Sequence, residues 1–130
     1  MIFSSPVPPP MLGAGIASAK IHLSGEIHDL QTDLYKKIKL FTKRAKDLGL
    51  ELACDEISPI QFVRIGDFDR TISVIKEVFS QGFFVNTCAY PAVPKNKCGL
   101  RVTITKHINE TDISRLLNAI KEAMDLVPFN

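Results

Sequence analysis

The sequence predicts an α/β fold of the α+β two-layer sandwich kind: a small, mainly antiparallel sheet with helices on one face, preceded by long helices. Three observations predict it. Apolar residues recur at spacings of three and four over residues 27–48, 72–79 and 113–124, the period of helices that bury one side. Short β-prone runs at residues 60–65 and 100–105 read as strands, the second alternating apolar and polar. The order helix, helix, strand, helix, strand, strand, helix suits one sheet covered by helices.

Residues 1–10 (MIFSSPVPPP) are proline-rich and read as extended. Residues 10–24 are small and apolar, compatible with a helix packed closely on something else; Gly13 and Gly15 cost it ~1 kcal/mol each relative to alanine, which suits a helix lying against a partner surface. Gly25 and Glu26 interrupt, and a stronger helix follows, its stripe made by Ile27, Leu30, Leu34, Ile38, Phe41, Ala45 and Leu48. Gly49 falls where a left-handed C-cap belongs. The opposite face carries Lys36, Lys37, Lys39, Lys43, Arg44 and Lys46, and with no aromatic residues between the charges it reads as a solvated face rather than a phosphate-binding one.

Residues 50–54 read as a short edge strand. In residues 60–65 (IQFVRI), Ile60, Phe62 and Arg64 share one face and Val63 and Ile65 the other. Asp69 is the expected N-cap of the next helix, whose apolar side is Ile72, Ile75 and Phe79 with Val74 and Val78 beside them. Gly82 ends that helix, residues 83–85 (FFV) read as a short buried strand, and Thr111 is the expected cap of a last helix burying Ile113, Leu116, Leu117, Ile120 and Met124.

Bulk properties narrow the function. A length of 130 residues suits one domain, able to bury roughly two-thirds of its unfolded surface. A formal charge of +2 is too small to argue for nucleic acid as a partner. Three cysteines (Cys54, Cys88, Cys98) form no CxxC pair, so a disulfide framework is not expected and a reducing cytoplasm is. No apolar run approaches the ~18 residues of a membrane span, and the N-terminus lacks the basic and apolar regions of a signal peptide. His22, His28 and His107 lack metal-ligand spacing; His107 reads as structural rather than as a general base.

The chemistry concentrates in residues 89–107 (AYPAVPKNKCGLRVTITKH). Pro91 and Pro94 fix an extended approach, residues 95–99 form a turn, and Leu100, Val102 and Ile104 then alternate with Arg101, Thr103 and Thr105. Arg101 thus lies on the polar face of a half-buried strand, where a guanidinium fork suits a carboxylate.

The string YPAVPKNKCGLRVTITKHINETDI resembles the C-terminal signature of the α-oxoamine synthases, PLP-dependent enzymes of the aminotransferase class I/II fold. That family includes 8-amino-7-oxononanoate synthase, 2-amino-3-ketobutyrate CoA ligase, 5-aminolevulinate synthase and serine palmitoyltransferase. Its pattern here is close to Pro-Pro-x-Val-Pro, a basic turn, Leu-Arg-hydrophobic-Thr/Ser, a small pair, His-Thr and an acidic helix start; Lys106 departs from the small residue usual before the His. Ser58-Pro59-Ile60 through Ile65-Gly66-Asp67, and Phe3-Ser4-Ser5 with Pro8-Pro9, resemble two further family segments in the same order.

The resemblance implies the small C-terminal domain of a fold-type-I PLP-dependent transferase, with residues 1–25 belonging to the junction with a large domain and residues 26–130 forming the small domain. It implies a parent acyl-CoA:amino acid C-acyltransferase, homodimeric and cytoplasmic. Arg101 would hold the amino-acid carboxylate, with Tyr90, Pro91 and Val93 shaping the mouth of the site. Ser4 or Ser5 would reach the cofactor phosphate of the neighbouring subunit. The family's Schiff-base lysine has no counterpart among these residues, so no catalytic residue is assigned and the chain alone is expected to be inactive. Two alternatives remain: another fold-type-I enzyme such as an aminotransferase, and a stand-alone module that binds small carboxylates or mediates dimerisation.

Overall fold

A computed structural model of the chain describes residues 6–54 and 56–128. It divides into two compact units, Met1–Asp33 and Leu34–Asn130, the division falling inside the second helix.

In the first unit, α1 (Pro9–Leu23) starts on prolines at its first positions, where a missing N–H costs nothing. None of its residues is buried, and Met11, Leu12, Ile16 and Leu23 are exposed. α2 (Glu26–Asp47) begins in this unit and ends in the second. It stops in a Schellman motif: Gly49 takes φ +70°, Gly49 N–H donates to Lys46 O at 3.0 Å and Leu50 N–H to Ala45 O at 2.9 Å.

The second unit contains β1 (Ile60–Gly66), α3 (Phe68–Ser80), β2 (Asn86–Cys88), β3 (Cys98–Thr103) and α4 (Glu110–Leu126). The sheet order is β1-β3-β2, all antiparallel, so β3 is the central strand. Since β1 and β2 flank it in the same direction, β1-α3-β2 is a split crossover. α3 packs on β1 and β3 and against α4. The core joins Ile38, Phe41 and Ala45 of α2 to Val63 and Ile65, Val74, Ile75 and Val78, Leu100 and Val102, and Ile113, Leu117 and Ile120. No helix among the described residues is long and apolar enough to cross a membrane.

Several local expectations give way to stronger physics. The expected strand at residues 83–85 is displaced to Asn86–Cys88, because Gly82 (φ +86°) turns the chain and Phe83 N–H bonds back to Val78 O at 3.2 Å. Phe84 consequently stands 86% exposed and stacks on Phe79 with ring centroids 5.2 Å apart. The cap of α3 is Asp67, whose extended backbone aims its carboxylate at Arg70 N–H (2.9 Å); Asp69 already lies in the first turn. Likewise Asn109, not Thr111, caps α4, accepting from Asp112 N–H at 2.7 Å. The turn before β3 closes at Lys97, which donates to Pro94 O at 2.9 Å, and Cys98 and Gly99 belong to the strand. Residues 50–54 contribute one isolated bridge, Leu52 to Val63. The buried side of α3 is Thr71, Val74, Ile75 and Val78, with Ile72 half-buried and Phe79 exposed.

Candidate functional site

Arg101 lies where the alternation places it. Leu100, Val102 and Ile104 are buried at 0%, 5% and 2% exposure, so the side chain between Leu100 and Val102 leaves on the opposite face, and Arg101 is exposed. Its cross-strand neighbours are neutral, Phe62 on β1 and Asn86 on β2. Among the described residues its guanidinium makes no hydrogen bond or ion pair.

It borders a cleft of about 630 Å3, at the end of the β2 ladder. Its polar lining includes Asn86, Arg101, Thr103, His107, Asp112 and Arg115, and its apolar wall Phe83, Phe84 and Leu116. One of these side chains is held by neighbours: Arg115 pairs with Asp112 at 3.5 Å and lies 5.5 Å from the Phe83 ring. His107 is set by the turn that follows β3, where Ile108 N–H donates to Thr105 O at 3.3 Å. The Lys37 ammonium reaches across from α2 to the Lys106 carbonyl and anchors the same turn. The cleft therefore offers two guanidinium groups and an imidazole against one carboxylate, an arrangement that attracts an anion.

The other expected residues are placed elsewhere. Tyr90 is 64% exposed, with Lys95 Nζ 5.5 Å from its ring, and lines a separate cavity with Asp67, Phe68, Asp69, Lys95 and Cys98. Pro91 is exposed and Val93 half-buried in the β2–β3 connection, where Ala92 N–H and Val93 N–H both turn back to Ala89 O. That connection follows Cys88, whereas Arg101 pairs with Asn86 at the far end of the ladder. Ser4 and Ser5 lie outside the described residues. Cofactor fit is decided by the lining: among the described residues no lysine borders the Arg101 cleft, so those residues suit a carboxylate and do not hold PLP as a Schiff base.

Sequence reasoning passed over Arg115, Phe83 and Asn86 as cleft residues, and no local pattern marks them. It also passed over Arg70, which is 7% exposed and donates to Val127 O (3.0 Å), Ile65 O (2.5 Å) and Met124 O (3.1 Å). There a signal existed: Arg70 precedes Val74 and Val78 by four and eight residues, a buried helical register.

Comparison with known proteins bears on this arrangement. No family model matches the chain. The 8-amino-7-oxononanoate synthase of Thermoanaerobacter pseudethanolicus is 30% identical over 121 residues, covering 93% of this chain and 30% of that protein. The enzyme of the same name from Marinobacter nauticus is 30% identical over 126 residues, covering 97% of this chain and 31% of its own. The chain thus spans about a third of the length of the relatives it matches. Among solved structures, 8-amino-7-oxononanoate synthase from Francisella tularensis aligns with TM-score 0.79 at 20% identity, over 95% of this chain and 35% of that one. A serine palmitoyltransferase from S. paucimobilis with a bound PLP–myriocin aldimine aligns with TM-score 0.84 at 21% identity, over 96% and 31%.

The fold is accordingly that of the small α/β C-terminal domain of PLP-dependent transferases. Within that class the chain is similar, over nearly all of its own length, to about a third of the length of 8-amino-7-oxononanoate synthases, members of the α-oxoamine synthase family.

Proposed function

We propose that this chain is the substrate-carboxylate-binding part of a PLP-dependent acyl-CoA:amino acid C-acyltransferase. The observation that carries the reading is Arg101, held on the central strand between neutral neighbours, unpaired among the described residues and open to an anion-attracting cleft. Its fork donates two parallel N–H bonds to a carboxylate, which fixes orientation as well as position. PLP, when bound by the whole protein, supplies the electron sink at the amino acid's α-carbon. This chain's own task is to hold the amino acid by its carboxylate, with Phe83, Phe84 and Leu116 limiting water on one side of the cleft.

Further parts of the reading have narrower support. Residues 1–25 form the junction with a large domain; the exposed apolar side chains of α1 support this. The parent protein is a cytoplasmic homodimer using an amino acid and an acyl-CoA. Tyr90, Pro91 and Val93 shape the approach to the site, Ser4 or Ser5 meets the cofactor phosphate of the neighbouring subunit, and the chain alone is inactive.

The test is made in the full-length protein. Arg101→Ala is expected to raise the amino-acid KM by about ten- to a hundredfold, the value of a charge-assisted bidentate contact, with the acyl-CoA KM little changed. An amino-acid KM within twofold of the parent protein's would overturn the assignment.

A further inference from the structure

β2 stops before its partner does. Asn86 pairs with Arg101 at the end of the β2 ladder, while β3 runs on to Thr103. Alternation fixes which way the backbone groups beyond that point face. Ile104 N–H donates to Pro59 O at 2.7 Å, so Leu100, Val102 and Ile104 turn their N–H and C=O toward β1, and Arg101 and Thr103 turn theirs toward β2. β1 obeys the same rule, its Arg64 N–H and Phe62 C=O being used on the outer edge by Glu51 and Ala53.

On the β2 side of Thr103 there is no strand among the described residues. The chain that precedes Asn86 leaves the ladder, with Phe84 drawn off to stack on Phe79. Among the described residues, Thr103 N–H and C=O therefore make no backbone hydrogen bond on that side. They face the cleft of about 630 Å3 whose rim carries Arg101, His107 and Arg115. Its one carboxylate, Asp112, is tied to Arg115. An unpaired strand edge is a template for another chain, and the Arg101 guanidinium, without a carboxylate partner among the described residues, selects the chemistry of that chain.

We propose that the β3 edge at Thr103 binds the end of an extended acidic peptide segment by strand addition, in line with β2. A residue opposite Thr103 forms a hydrogen-bonded pair with it, exchanging N–H and C=O in both directions. Its side chain emerges on the open face, diagonal to Arg101 at roughly 7–8 Å between backbones, within reach of a glutamate. This does not rest on the enzymatic reading, and its test separates the two.

The probe is an N-acetylated Thr-Val-Thr-Val-Glu amide, whose last residue pairs with Thr103 and stops short of the place held by Asn86, titrated into the chain and followed by backbone amide shifts and hydrogen exchange. In the free chain the Thr103 amide exchanges faster than those of Val102 and Ile104. The peptide slows Thr103 exchange at least tenfold, methylating the glutamate backbone nitrogen weakens binding about tenfold or more, and glutamate-to-lysine replacement in the peptide weakens it further. Equal binding by the N-methylated peptide, no binding at millimolar concentration, or a Thr103 amide already protected without peptide overturns the proposal. N-acetylglutamate shifting Arg101 and displacing the peptide, with no N-methyl effect, also overturns strand addition and leaves the carboxylate reading of Arg101 intact. Conversely, failure of the Arg101→Ala kinetic test leaves the N-methyl comparison untouched.

Discussion

Replacing Arg70 by methionine should cost the second unit about 3 kcal/mol of stability. Methionine keeps most of the aliphatic packing and removes the donors to Ile65 O, Met124 O and Val127 O. The Ile65 carbonyl is in buried surroundings, and leaving it unsatisfied costs about 1–3 kcal/mol. The other two bonds are part-buried at the C-terminal end of α4, where water can replace the guanidinium, so each is worth about 0.5–1.5 kcal/mol. Against a total stability of about 5–15 kcal/mol the loss is large. With a urea m-value of about 2 kcal/mol/M, the midpoint of equilibrium unfolding read by far-UV circular dichroism should fall by about 1.5 M. Arg70→Lys, which restores one donor group without the fork, should fall between parent and Arg70→Met. A drop below about 0.5 M for Arg70→Met would refute the claim that this guanidinium ties β1 to the end of α4.

Gly99→Ala should destabilise by about 2 kcal/mol or more, because a Cβ there would run into the Val63 carbonyl oxygen and lie 3.0 Å from Phe62 Cζ; an unchanged thermal midpoint would show that β1 and β3 can separate freely. Asn109→Ala should cost about 1 kcal/mol and Thr111→Ala no more than about 0.5 kcal/mol, read by urea unfolding; the reverse ranking would return the cap to Thr111.

Element types and order were legible because they rest on periodicity over many residues. The α2 stripe has the spacing of a one-sided helix, and Ile38, Phe41 and Ala45 are indeed its buried positions. Leu100, Val102 and Ile104 alternate with Arg101, Thr103 and Thr105, and that alternation alone put Arg101 on the open face. What escaped depended on one residue or on distant contacts. Asp67 and Asp69 are both good caps by composition, and only the strand end at Gly66 decides which has the extended backbone a cap needs. Phe83-Phe84-Val85 has every local feature of a strand, yet Gly82 and the Phe79 stack hold Phe84 off β3. The cleft that results, bordered by residues from Phe41 to Leu116, has no sequence signature of its own.

Arg70 and Arg101 show how the same side chain acquires opposite roles from its register. Arg70 falls in line with Val74 and Val78 on the buried side of α3 and has its donors spent on carbonyls. Arg101 falls between Leu100 and Val102 on the open face, where no internal acceptor meets it among the described residues. Desolvating an arginine demands partners, and a solvated one demands none. Arg101→Met should therefore change the urea midpoint by no more than about 0.3 M, equivalent to about 0.5 kcal/mol at the same m-value, against about 1.5 M for Arg70→Met. A loss at Arg101 comparable to that at Arg70 would mean that its guanidinium is committed within the fold, and an arginine so committed has no fork left for a carboxylate.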